Sequence, residues 1–187
     1  VSNIELEDAN EAIGIQQVWD DLVNSLIGRR LSSVAGRIDY NYDNNSITMQ
    51  NNGDIDTAND RLILNLQYPH AAVADGVMNL HVHWEQVSSN DIEFTTQYRI
   101  QSNGSAKETA WTTVISSSVS NSVFPYVSGT INQITKLATV DLTGAGISAT
   151  VQFRVARTDS TTGDIEAVFV DAHVKRDMVG SRSEYVK

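Results

Sequence analysis

Three stretches of this chain alternate apolar and polar residues with a period of two, and that alternation constrains the fold more than any other feature of the sequence. In "RLILNLQY", Leu62, Leu64, Leu66 and Tyr68 fall on one side, against Arg61, Asn65 and Gln67. In "VMNLHVHWEQV", Met78, Leu80, Val82 and Trp84 oppose Asn79, His81, His83 and Glu85. In "DIEFTTQYRIQ", Ile92, Phe94, Tyr98 and Ile100 oppose Glu93, Thr95, Gln97 and Arg99. Successive side chains on a strand point to opposite faces, so each stretch reads as a strand with one face on a core. Weaker patterns predict further strands at Thr112–Ile115, Ala138–Leu142, Val151–Ala156 and Ile165–Lys175. Asn90-Asp91, Asn103-Gly104, Gly144–Gly146 and Thr162–Asp164 supply the turns between them.

About eight strands at short spacing, with almost no helical pattern, imply an all-β sandwich or barrel. Long connections and two amphipathic sheets favour a jelly-roll β-sandwich over an immunoglobulin-like one, whose paired cysteines are missing from this Cys-free chain. Residues 1–17 carry no strong periodicity and are expected to form an extended N-terminal arm, with residues 18–187 forming the jelly-roll domain. "VWDDLVNSLIGRRL" mixes periods: Val18, Leu22 and Leu26 suit a short helix, while Gly28 and the Val/Ile content suit a strand or irregular structure. In "GRIDYNYDNNSITM", Ile38, Tyr40 and Tyr42 alternate with polar residues, and Asp43–Ser46 read as a turn.

Charge and composition exclude several function classes. The chain has 13 Lys+Arg against 23 Asp+Glu, a net charge of −10, which repels phosphate backbones and argues against nucleic-acid binding. With no cysteine there is no disulfide, thiolate metal site or thiol catalysis. No apolar run approaches the roughly 18 residues of a spanning helix, and Glu5, Glu7 and Asp8 interrupt the N-terminal apolar residues, so no membrane partner is expected. Residues 1–27 hold six acidic residues and no basic one, whereas Lys175, Arg176, Arg182 and Lys187 make the C-terminus more basic.

The sharpest chemical question is posed by "HVHWE". Two histidines at i and i+2 on a strand point the same way about 7 Å apart, a spacing that can chelate a divalent ion if a third ligand arrives. Glu85 lies on that face, and His173 could come from a neighbouring strand. The cupin jelly rolls use such a pattern, but the match here is poor. Four residues instead of five separate Gly76 from His81, positions 87 and 88 are Val and Ser where the motif wants its glutamate, and the second cupin motif has no counterpart. With Trp84 on the apolar face, the histidines are expected to look away from the core. The expectation is therefore no bound metal and no cofactor, with His81, His83, Glu85 and His173 the residues weighed as ligands.

No catalytic set emerges. The chain lacks GxSxG, GxxxxGK[ST], HExxH and EF-hand patterns. Asp20 and Asp21 face opposite ways on an extended chain, and "TGAG" at 143–146 lacks the strand–helix context of a phosphate loop. Trp19, Trp84 and Trp111 could line a sugar cleft, although tryptophans in β proteins more often anchor cores or interfaces.

"VWDDL" near the start, "DGVMNLHVHWEQ" in the middle and "DAHVKRDMVGSRSEYVK" at the end together resemble a group of small tailed-bacteriophage virion proteins. A WDDL-like opening, a DG…HxHxxW-like strand and a terminal GSRxE-K motif recur in that group around a β-sandwich. The resemblance spans both ends and the middle of the chain, not the loops between, and the Met178-Val179-Gly180 stretch departs slightly from the usual terminal form. It implies a non-enzymatic structural protein of the virion, a capsid decoration or head-fibre protein that assembles as a homotrimer against the major capsid protein. A tail-associated structural or receptor- or carbohydrate-binding protein, contacting tail proteins, is the alternative, and a cupin-like metalloenzyme a more distant one. On this reading His81, His83 and Trp84 are interface candidates. Ile4, Leu6, Ile13 and Ile15, apolar residues set between the carboxylates of the arm, would attach it to a partner's sheet edge.

Overall fold

A computed structural model of the chain describes residues 18–25, 38–41, 46–50, 55, 61–70, 72–73, 75–146 and 148–176. The proposed arm of residues 1–17, with Ile4, Leu6, Ile13 and Ile15, lies outside them, as does the terminal motif beyond residue 176. Ten strands are described: β1 (Val18–Ser25), β2 (Ile38–Asn41), β3 (Ser46–Met49), β4 (Leu62–Gln67) and β5 (Val77–Gln86) come first. They are followed by β6 (Glu93–Gln101), β7 (Thr112–Ser117), a single helical turn α1 (Ser118–Asn121), β8 (Ile131–Asp141), β9 (Thr150–Arg157) and β10 (Ile165–Arg176). The mixed pattern of "VWDDLVNS" resolves as strand, and Ser46 opens β3 instead of belonging to a turn.

The strands form two antiparallel sheets. Sheet A runs β2-β3-β10-β5-β8, with β1 also on β10, and sheet B runs β4-β9-β6-β7. The pairings are nested: β3 pairs with β10, β4 with β9, β5 with β8 and β6 with β7, alternate pairs falling in opposite sheets. That is one long antiparallel hairpin rolled on itself, the topology of a jelly roll. The twelve-residue β10 shares one edge between two partners, β3 along Ile165–Ala167 and β1 along Phe169–Arg176, while β5 holds the other edge.

The predicted apolar faces form the core. Met78, Leu80, Val82 and Trp84 of β5 are at most 1% exposed and meet Leu62, Leu64, Leu66, Phe94, Val151 and Phe153 of sheet B. Trp84 packs edge-on against Phe94, and its indole N–H donates to Thr135 Oγ1 at 2.8 Å. Complete enclosure in its own chain's core removes Trp84 from the interface candidates. On β6 the predicted alternation holds for Phe94 but not for its outer face. Thr95 and Gln97 are buried, because β6 lies between β9 and β7 and its outward side chains are crowded by register partners such as Arg154 and Thr113.

Two bulges change the alternation in sheet A. Opposite β5, β10 carries an extra residue between Ala167 and Phe169, and β8 carries one where Leu80 gives way to His81. An inserted residue reverses which side chains face inward. Ile165 and Ala167 point into the core before the β10 bulge, and Val170, Ala172 and Val174 do so after it. Asp171 and His173 are thereby turned to the outer face. In β8 the same reversal leaves Leu137 and Ala138 both buried.

At the β9–β10 corner Arg157, 1% exposed, organises the connecting loop. Its Nε and Nη2 donate to the two oxygens of Asp159 at 2.7 and 3.0 Å. Further bonds reach the Thr161 carbonyl and hydroxyl and the Gly163 and Met49 carbonyls. Asp159 also accepts the backbone N–H of Thr161 at 2.8 Å and of Glu93 at 3.3 Å.

Candidate functional site

On the outer face of sheet A, β5 and β10 bring three histidines around one buried carboxylate. Cross-strand partners share a face, and the register sets His81 directly opposite Asp171 and His83 opposite Phe169. His173 follows Asp171 by two residues, on the same face. The β10 bulge makes this possible, since strict alternation from Ile165 would have driven Asp171 into the core.

The geometry centres on Asp171, which is 3% exposed. His173 Nε2 lies 3.0 Å from its Oδ2, a hydrogen bond when that nitrogen carries its proton. His83 Nε2 lies 3.4 Å from the same oxygen and His81 Nδ1 3.6 Å from Oδ1. These last two are close polar contacts, not well-formed hydrogen bonds. His81 Nδ1, His83 Nε2 and Asp171 Oδ1 are sealed from solvent without a hydrogen-bond partner. The His83 ring stacks on Phe169 at 3.9 Å, while the His81 and His173 rings are 4.4 Å apart and tilted by 47°. Burial alone would raise the Asp171 carboxyl pKa; the polar contacts from His81 and His83 and the charges of His83 and His173 outweigh it and hold the carboxyl well below its ordinary range.

His81, Asp171 and His173 each offer a ligand atom, all within 4.8 Å of one another. Among the described residues they are the group of three or more His, Asp or Glu side chains close enough to share an ion. The set differs from the one weighed in the sequence. His81 and His173 belong to it. Glu85 does not: four residues along β5, about 13 Å away, it pairs in register with Glu166. Glu166 is itself held by Ser46 and Thr48 hydroxyls at 2.6 and 2.8 Å. His83 touches the same carboxylate but falls outside the three-donor group. Asp171 is not among the residues weighed in the sequence; it shares a face with His173, and the register with β5 brings it opposite His81. On the β8 side, exposed Lys136 is the register partner of His81.

His81 and His83 thus face away from the core, as the position of Trp84 predicts, and a cavity site inside the sandwich cannot use them. Fourth among the histidines, His70 stands apart, bonded to Ser148 Oγ at 2.5 Å. Two guanidinium groups, of Arg99 and Arg154, sit over the Trp111 ring at 4.4 and 3.9 Å, so that ring is not a bare sugar platform.

No protein-family model and no curated protein matches the sequence. Among solved structures, the TNF Eiger of S. frugiperda is similar over 66% of this chain and 91% of that one, with 13% identity and a TM-score of 0.27. A likeness this weak carries no argument; the jelly-roll assignment stands on the strand order.

Proposed function

We propose that this chain is a non-enzymatic structural subunit of a bacteriophage particle, a capsid decoration or head-fibre protein that assembles as a trimer. The observation that supports assembly most directly is where the fold leaves large apolar side chains in water. Val119, Val123, Phe124 and Val127, between 53% and 80% exposed, all lie in α1 and the loop that leads to β8. Val87, 59% exposed, is tied to that loop by the Tyr126 hydroxyl, which donates to the Val87 carbonyl at 3.1 Å. Exposed apolar side chains gathered in one region mark contact surfaces more often than solvent-facing ones. Closed cyclic symmetry is the usual way a chain covers such a surface with copies of itself. The phage assignment, with the major capsid protein as the partner, rests on the three separated motifs, and the jelly-roll topology is compatible with it.

Light scattering of the purified full chain should give three times the 20.5 kDa chain mass. Phe124→Ser with Val127→Ser should shift that mass towards monomer while leaving the β-type circular-dichroism spectrum intact. A monomeric wild-type chain at micromolar concentration, or a trimer indifferent to both substitutions, overturns the assembly reading. Antibody labelling of intact particles separates head from tail, and no label on any particle removes the virion assignment.

A further inference from the structure

We propose that His81, His173 and Asp171 bind one divalent transition-metal ion of the zinc class on the outer face of sheet A, with His83 as the residue that positions the Asp171 carboxylate. The donor chemistry selects the class. Two imidazole nitrogens and one carboxylate oxygen suit zinc, cobalt or nickel, whereas calcium and magnesium prefer all-oxygen shells.

The spacing agrees. Ligand atoms about 2.0–2.2 Å from a tetrahedral ion stand roughly 3.3–3.6 Å from each other. His173 Nε2 lies 3.0 Å from Asp171 Oδ2 and His81 Nδ1 3.6 Å from Oδ1, and with one atom taken from each residue the three donors fit within 4.8 Å. Bringing donors that lie within 4.8 Å of one another to that spacing takes side-chain rotation of about 1 Å. The frame that holds them is rigid, because a directly opposed cross-strand pair and an i, i+2 neighbour form a tripod on two hydrogen-bonded strands.

Two further observations point to a ligand and not merely to a polar cluster. Asp171 Oδ1 and His81 Nδ1 are buried, 3.6 Å apart and without a hydrogen-bond partner, an arrangement that costs free energy unless something else satisfies them. His83, fixed by stacking on Phe169 and 3.4 Å from Asp171 Oδ2, stands where an outer-shell donor would orient a ligating carboxylate. The site is also reachable, since the His173 side chain is 35% exposed. Loading requires the ligating imidazole nitrogens without their protons, any such proton passing to solvent or to the other ring nitrogen. The proposal departs from the expectation of no metal drawn from the HxH spacing by taking its carboxylate from β10 and not from Glu85.

The test uses the full chain, stripped with a chelator and titrated near neutral pH with Zn²⁺ alone by calorimetry and with Co²⁺ by visible absorption. One ion per chain is expected, with intense four-coordinate Co²⁺ bands. His81→Ala and His173→Ala should each weaken uptake by about 100-fold or more, and His83→Ala by about 10-fold. Asp171→Asn, close in shape, guards against loss of fold and should also weaken uptake. In the wild-type chain the imidazole resonances of His81 and His173 should shift on Zn²⁺ addition while those of His70 do not. No stoichiometric uptake, or uptake that leaves those resonances unmoved and survives the paired His81→Ala and His173→Ala substitution, overturns the site. All three donors come from one chain, so ion uptake and the oligomer mass can fail independently.

Discussion

Replacing Arg157 with alanine should unfold the β9–β10 corner energetically without touching the site or the exposed loop. The guanidinium is 1% exposed and serves two oxygens of Asp159, whose side chain is itself 6% exposed, along with the carbonyls of Thr161 and Gly163. Truncation leaves a buried carboxylate without its counter-charge and carbonyls without their donor. Breaking a buried pair from one side costs about 3–5 kcal/mol, a large share of the roughly 5–15 kcal/mol that holds a domain folded. For a chain of this size that corresponds to a melting temperature lower by about 6–20 °C. Arg157→Lys keeps the charge but loses the planar fork, and should fall between wild type and alanine. The double variant Arg157→Met with Asp159→Ala should cost less than the two single changes added together, because no lone charge remains. It should not be neutral, since Asp159 also caps the N–H groups of Thr161 and Glu93. Urea unfolding followed by tryptophan fluorescence measures each variant, the enclosed Trp84 reporting the core. A loss below about 1 kcal/mol for Arg157→Ala, the scale of a surface pair, would refute the reasoning.

Two other outcomes follow from the same structure. Burial raises the Asp159 pKa, but Arg157 and Thr161 lower it further, leaving it net below its ordinary value of 3.8. A carboxyl depressed on folding stabilises the protein above its unfolded pKa, and that contribution is lost as pH falls through the folded one. Asp159→Asn should therefore flatten the acid side of the stability–pH curve, and an unchanged acid limb in pH-dependent melting would count against the pairing. At Gly76 an added Cβ would lie 2.8 Å from the Tyr68 hydroxyl and 3.1 Å from the Val73 carbonyl oxygen. Gly76→Ala should cost about 1–3 kcal/mol by overpacking, and less in a Tyr68→Phe background where the hydroxyl is gone; equal costs in both backgrounds would place the strain elsewhere.

The outcome at individual residues shows what was legible in the sequence. Unbroken alternation in "LILNLQ" and "VMNLHVHWEQ" gave the strands, their inward faces and the outward turn of His81 and His83. Where a bulge interrupts a strand, the pattern misleads. Only Ala138–Leu142 of β8 was predicted, because Leu137 and Ala138 are adjacent and both inward, and the half from Ile131 was lost. Asp171 shares a face with His173, two residues on, but only the register between β5 and β10 sets it opposite His81. Glu85 looked like the natural third ligand because it was close in sequence, yet strand geometry carries it away while register brings a residue ninety positions from His81 opposite it. Short-range pattern carries no information about register between distant strands, and register built this cluster.

The position of β10 in the strand order bears on how the protein is made. The last described strand sits inside sheet A, paired with β5 on one edge and with β3 and β1 on the other. During synthesis β1 and β3 emerge first and wait with open edges until more than a hundred further residues have been added, β5 waits for about eighty, and Ile47 meets Ala167 only then. Pairings of such long separation close slowly, and half-made sheets with bare edges invite association with the wrong chain. A nascent chain halted after β9 should be unable to complete sheet A, so a premature stop near residue 160 should leave aggregate instead of a smaller folded domain. Asp171 and His173 arrive on that same final strand, so the histidine–carboxylate cluster closes only on a chain whose synthesis has run past β10.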